Sequence, residues 1–187
     1  MRLNERFLTQ PPLATSSAFD EARKVEAEAL KELIPFLRER AFEGRFVVTD
    51  KGNLSRILQK TVGDVLFNCQ KHKVWAVEIK SEVENKWNNF FLEIWSNLKR
   101  FTPGWMLTLQ ADILMYYFQK EKELYVMSLP KLKEWAFINT SKNGERGRIW
   151  DFPEKQQSKY VQLNDTWGRC VPIPIIAEEV GFSLYKL

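Results

Sequence analysis

The sequence predicts a single α/β domain built on a mainly antiparallel or mixed sheet. Two observations carry this expectation. An amphipathic stretch with helical period occupies residues 19–42, and after Gly44 the apolar residues switch to the period of two that marks strands. Short runs of strand type then recur between charged or polar turns, with only brief helical patterns among them.

The elements follow in order. Residues 1–18 hold Pro11-Pro12 and Thr15-Ser16-Ser17, an extended N-terminal arm, and residues 19–187 form the domain. The helix over 19–42 has Ser17 as an N-cap, with Asp20 and Glu21 near its positive end. Pro35 is expected to kink or divide this helix, and Gly44 to stop it. Strands follow over 45–49 and 54–58, separated by the turn Asp50-Lys51-Gly52-Asn53. Residues 64–67 and 73–80 read as a hairpin, 90–95 as a strand, and 111–118 with 123–129 as a further pair. Pro130 opens a short helix that runs to about residue 138, since proline fits a first helical position. Residues 139–159 are polar, basic and poor in aliphatics, which predicts a long loop. Residues 161–163 and 171–173 are closing strands, and a last short helix over 175–180 ends at Gly181.

Bulk properties narrow the function classes. Hydrophobic residues make up 44% of the chain, enough to build a core and to exclude wholesale disorder. No apolar run reaches the roughly 18 residues that span a bilayer, and no secretory signal follows Met1-Arg2-Leu3. A cytoplasmic protein with no membrane partner is therefore expected. Cys69, Cys170 and the lone His72 cannot supply a four-ligand zinc site. The same scarcity leaves most Ser-His and Cys-His chemistry without its base. A net charge of +4 with a pI of about 9.0 permits a polyanionic partner without requiring one.

The chemistry-bearing pattern lies in the hairpin. Glu78-Ile79-Lys80 stands near the end of its second strand, so Glu78 and Lys80 share one face and Ile79 takes the apolar one. Asp64 opens the first strand, and a turn near Gln70-Lys71-His72 brings it beside them. Two carboxylates held together repel unless a hard cation relieves the repulsion, and Mg²⁺ prefers such oxygens. An ammonium on the same face can serve a metal-activated water or stabilise charge on phosphorus. Taken alone, Glu-x-Lys on a strand is ordinarily a solvated face. On the helix, Glu26 falls within the apolar stripe of Ala22, Ala29, Leu30, Leu33 and Leu37, where a carboxylate is costly unless paired or bound to metal.

A helix glutamate, an Asp at a strand start and (Asp/Glu)-x-Lys on the next strand resemble the PD-(D/E)XK, restriction-endonuclease-like superfamily. Glu26, Asp64, Glu78 and Lys80 match those positions, with Glu28 as the fallback for the helix. Asn89-Phe90-Phe91-Leu92-Glu93 is similar to the Gly-Asn-Leu-Phe-Ile-Glu segment that follows the motif in many bacterial and phage members. The likeness spans residues 19–138. The chain departs from the pattern at two places: Gly63 rather than Pro precedes Asp64, and Asn88 stands where a Gly is expected.

The resemblance implies a restriction-endonuclease-like mixed sheet flanked by helices. It also implies a Mg²⁺-dependent nuclease (Mn²⁺ as a substitute) that hydrolyses phosphodiester bonds, with DNA and endonucleolytic cleavage favoured. Asp64, Glu78 and Glu26 would be the metal ligands, and Lys80 would serve the attacking water. Glu93 and Asp112 are candidates for supporting that shell. Lys60, Trp95, Trp105, Lys142, Arg146 and Arg148 are candidate nucleic-acid contacts. The lack of a helix-turn-helix signature leaves recognition to a homodimer or a partner protein. The alternative is a catalytically silent nucleic-acid-binding or assembly module on the same fold.

Overall fold

The computed structural model describes residues 16–49, 63–70, 73–137, 159–163 and 165–187. The strand expected over 54–58, most of the 139–159 loop, and Lys60, His72, Lys142, Arg146 and Arg148 lie outside the described residues. The chain is a mixed α/β structure with two sheets. Strands β1 (Phe46–Val48), β2 (Val65–Gln70), β3 (Lys73–Glu82), β6 (Ile113–Phe118), β7 (Glu123–Ser128) and β10 (Ser183–Lys186) form a six-stranded sheet in the order β1-β2-β3-β6-β7-β10. Strands β4 (Asn89–Asn97), β5 (Thr102–Pro103), β8 (Lys159–Leu163) and β9 (Thr166–Pro172) form a four-stranded sheet in the order β5-β4-β9-β8. The larger sheet is mixed because β3 and β6 run parallel at its centre, while its other pairs are antiparallel.

The alternation of β3 divides the molecule into two apolar layers. Val77 and Ile79 face helix α1 (Ser16–Arg40), where they pack with Ala29, Leu33 and Leu37 as well as Val65, Met115 and Tyr117. Ala76 faces the other way. Its layer is filled by Leu114, Tyr116 and Phe118 of β6 and by Phe90, Leu92 and Ile94 of β4. Three short helices complete that layer: α2 (Trp105–Thr108), α3 (Leu129–Ala136) and α4 (Ile173–Glu179).

Most of the expected elements are present, with shifted ends. Helix α1 begins at Ser16, so Ser17 lies inside its first turn rather than capping it. It also runs as one element through Pro35. That proline is exposed, as is Lys31, whose carbonyl loses its helical partner there, so the group can turn to water and the helix need not break. Gly44, at φ +67°, ends the 3₁₀ turn that follows the helix. Helix α3 starts as expected, with Pro130 in its first turn and the Ser128 side chain accepting the Lys131 N–H.

Candidate functional site

The hairpin β2–β3 places the acidic pair. Val65 pairs with Val77, so one further step of the antiparallel register sets Asp64 opposite Glu78. Gly63 makes that approach feasible. Its φ is +119°, and a Cβ there would stand 2.6 Å from the Val77 carbonyl oxygen. The strand entrance is pinned further by Thr49, whose hydroxyl donates to the carbonyls of Gly63 at 2.7 Å and Asp64 at 3.0 Å. Asp64 then sends one oxygen across the hairpin, where Oδ2 accepts the Ile79 N–H at 2.8 Å.

Glu78 and Lys80 share the face of β3 opposite α1. Lys80 Nζ lies 2.5 Å from Glu78 Oε1. Glu78 is buried, and its second oxygen, Oε2, is buried without a hydrogen-bond partner. Burial is the main reason that the Glu78 carboxyl is pushed up to about 8. Lys80 pulls it down, and the charges of Asp64 and Glu26 push it further up. Burial works against the charge on Lys80 as well. There Glu78, Asp64 and Glu26 outweigh it and hold the ammonium above the ordinary lysine range. The two acidic positions of the hairpin and the lysine therefore form one electrostatic unit.

Glu26 lies on α1, and its charge acts on both Glu78 and Lys80, whereas Glu28 is not among the charges that do so. It is exposed, however, and among the described residues no three His, Cys, Asp or Glu side chains stand together as a metal cage. What the described residues do offer a divalent ion is a pair of hard oxygen donors. One of them, Glu78 Oε2, is buried and lacks any other partner, a costly arrangement that a hard cation would relieve. The donor set fits Mg²⁺ on that observation.

The wall beside the pair comes from β4 and α2. Glu93 is raised by burial, and the nearby Lys80 and the Trp105 backbone N–H draw it back down. Gly104 packs against it so closely that a Cβ would stand 2.7 Å from Glu93 Cγ. Glu93 is thus within electrostatic reach of Lys80. Asp112 does not share this setting: its Oδ2 accepts the Ala76 N–H at 2.9 Å and ties β3 to the entrance of β6.

Trp105 corrects an expectation. It is only 7% exposed and sits in the core of α2, so it cannot stack on a base. Its ring instead lies 5.8 Å from Lys80 Nζ and walls the site. Trp95 is half-buried, with its ring 6.1 Å from that of the exposed Phe101. Lys133 of α3 has no counterpart among the expected site residues, yet the Glu78 charge acts on it.

Comparison of the chain with protein-family models, with curated proteins and with solved structures gave no match. Among the described residues no helix is long and apolar enough to cross a membrane.

Proposed function

We propose that this chain is a divalent-metal-dependent nuclease of the restriction-endonuclease-like kind, acting on DNA phosphodiesters. The observation that carries the reading is the buried, unpartnered Oε2 of Glu78, held beside Asp64 and on the face of Lys80. The mixed central sheet with α1 on one face is compatible with that kind of fold.

Asp64 and Glu78 would hold Mg²⁺ or Mn²⁺, with Glu26 as the further carboxylate within electrostatic reach. Such an ion supplies a Lewis acid and an acidified water. The rest falls to the chain. Lys80 enters as a cation, because three carboxylates favour its proton. It orients the attacking water through its remaining donors and offsets charge that develops on the phosphate. Glu93 and the Trp105 ring limit where that ammonium can point.

The test is incubation of plasmid and linear DNA with Mg²⁺ or Mn²⁺, comparing wild type with Asp64→Asn and Lys80→Ala. Wild type is expected to cut, and each variant to lose at least about 100-fold in rate. Equal cleavage by all three proteins refutes the assignment. A silent DNA-binding module is the second reading. The absence of a third ligand beside Asp64 and Glu78 among the described residues favours it, and binding without turnover in either metal would establish it.

A further inference from the structure

Helix α3 carries a lysine where its pattern calls for an apolar residue. Leu129, Leu132 and Ala136 are buried at i, i+3 and i+7, and Lys133 occupies the i+4 position of that same stripe. A half-buried ammonium there is costly unless it is used. Among the described residues its hydrogen bond runs from Nζ to the Leu109 carbonyl, at the C-cap of α2. Among the described residues no carboxylate lies within ion-pair distance of it.

The fold brings this lysine to the carboxylate pair. Leu129 N–H donates to the Asp112 carbonyl, and Asp112 N–H donates to the Ala76 carbonyl, so α3 starts beside the part of β3 that leads to Glu78. Leu114 pairs with Glu78 on one side and with Met127 on the other, which closes the same corner. Glu78 is accordingly the carboxylate whose charge reaches Lys133. The two ends of α2 thus flank two different ammoniums: the Trp105 ring lies near Lys80, and the Leu109 carbonyl holds Lys133. Lys80 is already engaged by Glu78, whereas Lys133 has no ion-pair partner among the described residues and keeps two N–H donors beyond its bond to the Leu109 carbonyl there.

We propose that Lys133 is a substrate-binding residue of this site, a second ammonium that takes a non-bridging oxygen of the nucleic-acid backbone next to the phosphate that a cation at Asp64 and Glu78 would engage. The assignment rests on the nuclease reading above. Lysine suits the task as a point charge with rotatable donors, and it needs no bidentate geometry.

The experiment measures binding of a fluorescent DNA duplex in Ca²⁺ across a salt series, using full-length wild type, Lys133→Met and Lys133→Arg. Thermal melting with and without Ca²⁺ is recorded for each. Lys133→Met keeps most of the apolar stem, so it should melt near wild type and keep the Ca²⁺-induced rise. It should bind DNA about tenfold more weakly, with a salt slope shallower by about one. Lys133→Arg should recover most of the affinity. Unchanged affinity and slope in Lys133→Met overturn the assignment while leaving the nuclease reading intact. Weaker binding that comes with loss of the Ca²⁺-induced rise also overturns it, because the lysine would then be shaping the carboxylate pair. Wild type that neither binds nor cuts DNA removes both readings together.

Discussion

Asp64 Oδ2 accepts the backbone N–H of Ile79 at 2.8 Å, so the first carboxylate of the site also fixes the strand that carries the second. The bond lands on the residue between Glu78 and Lys80. Any movement of Asp64 is therefore passed to both. Charge and position can be separated at this residue, because an amide oxygen can accept the same N–H.

Asp64→Asn should retain the bond and melt close to wild type, while losing metal-dependent cleavage. Asp64→Ala should lose both, because it leaves a buried N–H unsatisfied at a cost of about 1–3 kcal/mol. Circular-dichroism melts beside plasmid cleavage would check this. Equal melting of the two variants would show that the hydrogen bond contributes nothing.

Glu78 sets a pH dependence. Its carboxyl is raised to about 8 in the folded chain, chiefly by burial, against an ordinary value of 4.5. Between those values the unfolded chain has released the proton and the folded chain has not, so stability falls as pH rises. The contribution is fully present below the unfolded value and is lost progressively as pH climbs to about 8. Without metal, wild type should melt at a lower temperature at about pH 8.5, past the upper end of that window, than at about pH 6, inside it. Glu78→Gln should flatten much of the difference. Parallel pH profiles for the two proteins would contradict the assignment.

Divalent cations should reverse that slope. Metal binding to Glu78 requires the ionised form, so Ca²⁺ or Mg²⁺ should raise the melting temperature more at alkaline pH than at pH 6, with release of a proton. The rise should vanish in both Asp64→Asn and Glu78→Gln. Isothermal titration in buffers of different ionisation enthalpy would count the protons. Binding that is independent of pH would sink the proposal.

Gly104 should tolerate no side chain. A Cβ would stand 2.7 Å from Glu93 Cγ and 2.8 Å from the Glu93 carbonyl, so Gly104→Ala must shift backbone as well as side chain. The expected cost is about 1–3 kcal/mol. Because Glu93 stands beside Lys80, cleavage should fall by more than the lost stability explains. Urea unfolding together with kcat at saturating DNA would separate the two effects.

The hairpin was readable from sequence because its information is local. A period of two put Glu78 and Lys80 on one face, and the fourteen-residue separation of Asp64 from Glu78 closed through a short turn. Asn88, which departs from the expected Gly, adopts φ +50°, a conformation that asparagine enters more readily than most residues. The second sheet was not readable, because the pairing of β4 with β9 joins distant segments whose individual patterns specify no partner. Trp105 looked like a stacking residue because composition does not reveal that a four-residue helix buries it. Lys133 did leave a signal, a charge on an apolar stripe, of the same kind that singled out Glu26. In an eight-residue helix that stripe spans only two turns and is easily passed over.

The register of β4 with β9 sets an order of assembly. Asn89 pairs with Pro172 and Trp95 with Trp167, so the smaller sheet waits for the C-terminal part of the chain, while β2 finds β3 across a short turn. During synthesis the acidic hairpin leaves the ribosome well before β9 can dock on the strand that carries Glu93. The nascent chain thus passes through a stage in which the proposed ligands Asp64 and Glu78 are paired across the hairpin but the wall beside them is not yet built. Competence should arrive late and abruptly, with the last strands.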